Sequence, residues 1–281
     1  MVIKNYVINN KDNEPIQADF RYDLGTKSVP LVIVLHGFKG FKDWGFFPDL
    51  CTRLTESDYA TLCFNFSRNG IGLDPMEFTE ADKFAANTCS HEIEDFKTVI
   101  NAIDKDIIGK NIIDKEKMAV IGHSRGGALA LLGALEMPDR FQAVVTWSSV
   151  SHLDRFGNEE IAQWKKDGYI GIKNSRTGQI MKLNKTYYDD LQKNKTKFDL
   201  SSRLKKLDID TLFIHGLNDT TVPAKESEDL YNWCGASHKR LELIEDADHT
   251  FNVRHPFSGI SEKYDLACTL TENWLDNTFL L

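Results

Sequence analysis

Gly122-His123-Ser124-Arg125-Gly126 constrains this chain more than any other stretch. The apolar run Met118-Ala119-Val120-Ile121 leads into it, and a small-residue helical pattern from Gly126 to Leu135 leads out. A strand that passes into a helix over so few residues needs a sharp, strained turn. Glycine on each side of the serine leaves room for neighbouring backbone that any side chain would strike. Such a turn pushes the Ser124 hydroxyl out of the sheet, and the following helix aims its N-terminal N–H groups at whatever the serine attacks.

A serine nucleophile needs a base and an acid to orient the base. Thr211-Leu212-Phe213-Ile214-His215-Gly216 reads as a short apolar strand ending in a turn, and Asp219 follows it. Leu241-Glu242-Leu243-Ile244 reads as another strand, followed by Asp248-His249-Thr250-Phe251. His249 is the candidate base, since an imidazole can take the Ser124 proton and return it to a leaving alkoxide. Asp219 is the candidate acid that holds the His249 tautomer. Asp246 and Asp248 lie so close to His249 that they are expected to shape its turn. Asp219 and His249 each sit just past a strand end, where an open parallel sheet carries its chemistry.

The continuous apolar run Val29 to Leu35 suits a strand covered on both faces. His36-Gly37-Phe38-Lys39-Gly40 follows it, and a glycine here can turn an N–H toward the serine. The Phe38 and Arg125 amides are the expected oxyanion donors, each worth roughly 3 kcal/mol of transition-state stabilisation if they act like donors tested elsewhere. His123, His36 and His215 read as scaffold residues, the first under the turn and the second behind the oxyanion loop. The Arg125 guanidinium could instead meet an acidic substrate. In the aromatic loop from Lys39 to Phe47, Trp44 and Phe41 either line an acyl pocket or clamp the loop to the core.

The 281 residues, 41 % hydrophobic and 27 % charged, describe one globular α/β unit with an insertion. A net charge of −8 argues against nucleic acid and anionic membranes as partners. The start of the chain lacks a signal-peptide pattern and the longest apolar stretch is too short to span a bilayer, so a cytoplasmic location is expected. The five cysteines, Cys51, Cys63, Cys89, Cys234 and Cys268, lack C-x-x-C spacing and read as buried thiols. No zinc-ligand spacing is present, so neither metal nor cofactor is expected. Val2 to Ile8 and Ile16 to Leu24 read as an antiparallel hairpin at the sheet edge. Phe47 to Ser57, Glu92 to Asp104 and the segment after Ser124 read as helices. Tyr59 to Phe66 and Gln142 to Trp147 read as strands. This alternation implies a parallel sheet with helices on both faces. It breaks at Ser151 and resumes near Ser201, with Leu204 to Ile209 returning the chain to the sheet. The stretch between holds a small hairpin, Tyr169 to Lys173 and Gln179 to Leu183, turning at Asn174 to Gly178. Its Trp164, Tyr169, Tyr187 and Tyr188 are candidates to grip an aromatic or aliphatic ester.

These pieces together resemble the α/β-hydrolase superfamily. They are His36-Gly37-Phe38, Gly122-His123-Ser124-Arg125-Gly126-Gly127, His215-Gly216-Leu217-Asn218-Asp219-Thr220-Thr221-Val222-Pro223 and Asp248-His249-Thr250-Phe251. The chain order Ser124, Asp219, His249 is that family's order. The His-Gly-Phe and Gly-His-Ser-x-Gly-Gly forms look most like small serine esterases near the cinnamoyl (feruloyl) esterases and dienelactone-hydrolase-like proteins. The usual dienelactone-hydrolase nucleophile is Cys, and Ser here points to ordinary ester hydrolysis. The resemblance implies an α/β-hydrolase core at 1–150 and 202–281, a cap at 151–201 and an acyl-enzyme mechanism on small acyl esters, with aromatic, hydroxycinnamoyl-type groups as candidates. A serine peptidase of the same superfamily, or a ligand-binding protein without turnover, is the alternative.

Overall fold

The computed structural model describes all residues except 73, 75, 76, 175–177 and 281. The N-terminal hairpin is β1 (Val2–Asn9) and β2 (Pro15–Tyr22), followed by β3 (Val29–Leu35), α1 (Phe47–Glu56) and β4 (Ala60–Phe64). Next come α2 (Ala81–Ala85), α3 (Cys89–Asp104), β5 (Ile113–His123), α4 (Arg125–Glu136) and β6 (Ala143–Trp147). The insertion holds α5 (Asn158–Asp167), β7 (Tyr169–Lys173), β8 (Ile180–Asn184), α6 (Lys185–Lys193) and α7 (Lys195–Phe198). The chain then runs through α8 (Leu200–Arg203), β9 (Asp210–Gly216), α9 (Lys225–Trp233), β10 (Lys239–Ile244) and α10 (Glu262–Phe279).

Eight strands form one sheet in the order β1-β2-β4-β3-β5-β6-β9-β10. The β1–β2 and β2–β4 pairs are antiparallel, and every other neighbouring pair is parallel. The central strands carry apolar residues on both faces because helices cover both. Ile33, Leu35, Val120 and Val144 face one core cluster with Phe96 of α3, Leu129 of α4 and Leu230 of α9. The alternate residues Val32, Val34, Ile121 and Val145 face a second cluster with Leu50 and Leu54 of α1 and Leu275 of α10. Residues two apart therefore share a face, as a pleated strand requires.

The fold class expected from the sequence is the one observed: a mostly parallel sheet, helices on both faces and an N-terminal antiparallel hairpin. Two readings change. Leu204 to Ile209 does not enter the sheet; Leu204–Lys206 is a single 3₁₀ turn and β9 begins at Asp210. The insertion is not only a hairpin. β7 and β8 pair antiparallel from Tyr169↔Asn184 to Lys173↔Ile180, and α5 and α6 flank them. The middle of the expected turn between Asn174 and Gly178 lies outside the described residues. Trp164, Ile170, Met181, Leu183, Tyr187 and Leu191 of the insertion belong to the same apolar cluster as the main sheet. All five cysteines are buried and free. Among the described residues no helix is long and apolar enough to cross a membrane.

Candidate active site

Ser124 stands between the end of β5 and the start of α4, with φ 57° and ψ −123°. This backbone is unfavourable for an L-residue and persists only where its surroundings over-determine it. Here they do. The Ser124 N–H donates to Trp147 O at 2.8 Å, and its carbonyl accepts from Gly127 N at 3.0 Å. A Cβ on Gly122 would overlap the Gly126 carbonyl, and one on Gly126 would overlap the Leu35 carbonyl. The two glycines thus let β3, β5 and α4 approach closely enough to hold the turn.

Asp219 and His249 meet at the neighbouring strand ends. His249 Nδ1 lies 2.7 Å from Asp219 Oδ2. Asp219 Oδ1 accepts the Thr221 and Val222 N–H groups, each at 2.8 Å, and Oδ2 also accepts from His215 Nε2 at 3.1 Å. Burial alone would raise the Asp219 pKa, but the hydrogen bonds from His215 and His249 outweigh it and hold the carboxyl well below the usual range. An ionised carboxylate can only accept, so His249 Nδ1 carries a proton, and in the neutral imidazole Nε2 is the nitrogen with the lone pair. His215 is fixed in turn: its Nε2–H reaches Val222 O at 2.8 Å, and its Nδ1 accepts from the Ser227 hydroxyl at 2.6 Å. Its support of Asp219 was not read from the sequence, although a histidine four residues before the acid at a strand end is the available signal. Asp248 shapes the turn as expected, its Oδ1 accepting from Thr250 N at 2.9 Å and Asn252 N at 2.8 Å.

The other histidines are scaffold. His123 Nε2 donates to the His249 carbonyl at 2.8 Å and so anchors the backbone of the candidate base. His36 Nε2 accepts from Phe66 N at 3.3 Å, which leaves Nδ1 to donate to Gly37 O at 2.9 Å and fixes the loop that carries Phe38. Lys42 fastens the same loop from below, its Nζ 2.9 Å from Asp19 Oδ2 and 2.8 Å from Asp43 Oδ2.

A cavity of about 660 Å³ opens over the serine. Ser124, His249, Phe38, Arg125, Trp44 and Tyr187 line it. Of the aromatic residues expected to grip substrate, Trp44 and Tyr187 reach this space. Trp164, Tyr169 and Tyr188 are not among the residues lining it. Trp164 is fully buried, its indole N–H donating to Leu183 O at 2.8 Å, and Tyr188 stacks on it at 5.7 Å. Tyr169 is turned outward by the strand alternation, its ring under the Lys182 ammonium. The insertion offers Leu153, Phe156, Ile170 and Ile172 to the cavity instead, residues that polar and charged neighbours obscured in the sequence. Phe41 is fully buried and clamps the loop, while Trp44 both lines the cavity and stacks on His255. The Arg125 guanidinium is engaged by the buried Glu92 and by the Tyr187 hydroxyl, the latter at 3.0 Å. Among the described residues no cluster of three or more His, Cys, Asp or Glu is placed to hold a metal ion.

The fold is that of the α/β hydrolases, and the chain belongs to the prolyl oligopeptidase family, whose profile matches residues 78–278. It is 26 % identical over 211 residues to acylamino-acid-releasing enzyme 1 of Oryza sativa subsp. japonica, covering 74 % of this chain but only 25 % of that much longer protein. It is 25 % identical over 231 residues to YitV of Bacillus subtilis (strain 168), whose name marks it as a candidate esterase, with 79 % of this chain and 84 % of that one covered. The solved structure of Est1E from Butyrivibrio proteoclasticus with bound ferulic acid superposes with a TM-score of 0.74 at 19 % identity, over 98 % of this chain and all of that one.

Proposed function

We propose that this chain is a serine carboxylic-ester hydrolase for small esters with an apolar or aromatic acyl group. The observation that carries the reading is the hydrogen bond from His249 Nδ1 to Asp219 Oδ2, 2.7 Å long, at the wall of the cavity that Ser124 also lines. In this reading His249 Nε2 takes the Ser124 proton as the hydroxyl oxygen attacks the ester carbonyl. The Phe38 and Arg125 amides stabilise the oxyanion, and His249 returns the proton to the departing alkoxide. Water then repeats the sequence on the acyl-enzyme. Asp219 stays ionised throughout and stabilises the transient imidazolium. The cavity size suits a small substrate, and Phe38, Trp44, Phe156, Ile170 and Ile172 give it an apolar wall. That Est1E holds ferulic acid on the same fold supports an aromatic acyl group.

The family match favours a second reading, a serine peptidase that releases a blocked N-terminal residue. The two chemistries share the acyl-enzyme and differ in the leaving group. A panel of p-nitrophenyl acyl esters and methyl hydroxycinnamates, run beside acetyl-amino-acid p-nitroanilides, separates them. Hydrolysis of the anilides with kcat/KM equal to that of the esters would establish the peptidase. Failure of a fluorophosphonate to label Ser124 would remove both.

A further inference from the structure

The charges lining the cavity are unevenly matched. Lys39, Arg125 and Arg155 bring cationic groups, and Glu160 is the acidic residue of the lining. Lys173 also borders the space, but it pairs with the exposed Ile180 on the strand face that Tyr169 shares, so its ammonium is turned outward. Arg125 is held by the buried Glu92. Arg155 is already spoken for: its Nη1 lies 2.5 Å and 2.6 Å from the two Glu226 carboxylate oxygens. Glu160 is turned to its own helix, where Oε2 accepts the Gly157 N–H at 3.0 Å. Lys39 differs: its Nζ donates to the Lys173 carbonyl at 3.2 Å, and among the described residues it forms no ion pair with a carboxylate. One carbonyl uses one of the three donors of an ammonium. Lys39 is next to Phe38 on the oxyanion loop, and Lys173 ends β7 of the insertion, so the 3.2 Å bond spans from the core to the insertion. In a chain of net charge −8 an unmatched cation beside the apolar cavity is a local reversal of sign.

We infer that the cavity accepts esters bearing a second, ionised acidic group, and that Lys39 is the specificity-determining residue that receives it. This rests on the esterase reading and names the substrate class within it: monoesters of short dicarboxylic acids, or esters of carboxylate-bearing alcohols. Partial burial strips water from the Lys39 ammonium and pushes its pKa down without a carboxylate to offset the loss. An anion beside it restores that lost solvation, and a neutral acyl chain does not. The Phe38 and Ile172 side chains in the lining would bury the apolar length of such a substrate.

The test compares kcat/KM for mono-p-nitrophenyl glutarate with p-nitrophenyl butyrate, which places the charge on the acyl side. It compares 4-carboxyphenyl butyrate with phenyl butyrate for the alcohol side. The wild type is expected to favour the charged ester in one arm, and Lys39→Gln, which keeps a donor for the Lys173 carbonyl, should lower that ratio about tenfold. Lys39→Arg should restore it, Lys39→Glu should invert it, and raising ionic strength should weaken it. Lys173→Gln, whose side chain is turned outward, should leave the ratio unchanged, and the ionic-strength dependence of the wild-type ratio carries the test if the Lys39 variants do not fold. Neutral esters turned over with a ratio that Lys39→Gln and added salt leave unmoved in both arms overturn the inference alone. No turnover of any ester, with Ser124 unlabelled by a fluorophosphonate, overturns the esterase reading and this inference with it.

Discussion

The Arg125 guanidinium carbon lies 4.3 Å from the centroid of the Phe38 ring. These are the two residues whose amides we propose as oxyanion donors, and their side chains brace each other. The brace extends outward: Phe84 stacks on Phe38 at 5.5 Å, and the Tyr187 hydroxyl accepts from Arg125 Nη1 at 3.0 Å. Beneath it, Glu92 of α3 pairs with Arg125, and Asn87 Nδ2 donates to Glu92 Oε1 at 2.9 Å.

Glu92→Ala should therefore destabilise the fold by about 3–5 kcal/mol, because it strands a buried guanidinium. Tyr187→Phe removes one hydrogen bond to that charge and should cost about 1.5–3 kcal/mol. Urea unfolding measures both. Paired Glu92→Met and Arg125→Met substitutions should cost less than the two singles added, since each single leaves the other charge alone. Additive losses would show that the pair is not coupled.

Ser124→Ala, His249→Ala and Asp219→Asn should each reduce ester turnover by orders of magnitude and leave the circular dichroism spectrum unchanged. Their effects should not add, because the three act as a unit. Near-full activity in Asp219→Asn, with loss in Asp246→Asn, would move the acid role to Asp246.

Acid should weaken the fold through two histidines that take no part in proton transfer. Burial, the dominant influence on both, pushes His36 down to about 4 and His123 down to about 3. In the unfolded chain a histidine titrates near 6.5, so below that value the unfolded state binds protons that the folded state refuses. The stability they contribute is complete above about pH 6.5 and is lost as pH falls through that window toward 4 and 3. Tm measured from pH 7.5 to 4 should fall, and His36→Gln should show a shallower slope. An identical slope in the variant would exclude His36 as a source.

Within the insertion, position in the packing predicts two kinds of effect. Ile170→Ala and Phe156→Ala should change the kcat/KM ratio between hydroxycinnamoyl and acetyl esters by roughly 1–3 kcal/mol, since both side chains line the cavity. Trp164→Ala should instead cost about 3–5 kcal/mol of stability, as a fully buried indole leaves a large void. A ratio that moves with Trp164 and not with Ile170 or Phe156 would mean that the insertion shapes the cavity through its core rather than its surface.

The sheet and the elbow were legible because their signals are local. The apolar runs at Val29 to Leu35 and Thr211 to Ile214 have nothing else they can be, and Gly122 and Gly126 announce the close approach they permit. The helices of the insertion were not read because Trp164 and Tyr187, which anchor α5 and α6, stand among lysines, asparagines and aspartates that blur the helical period. The direction of an aromatic side chain is likewise set by partners far along the chain: Tyr187 points inward because Arg125 and Cys89 meet its hydroxyl, the latter at 3.2 Å. Tyr188, one residue on around the helix, misses the cavity and packs on Trp164 instead.

Among the described residues, the buried side chains of the insertion are continuous with those of the main sheet. Exchange of its buried amides should therefore follow that of β5 and α4. Ile170, which packs in that cluster and also lines the cavity, ties the shape of the cavity to the packing of the core. A lineage that reshaped this cavity to admit a different acyl group would have to repack the centre of the protein as it did so.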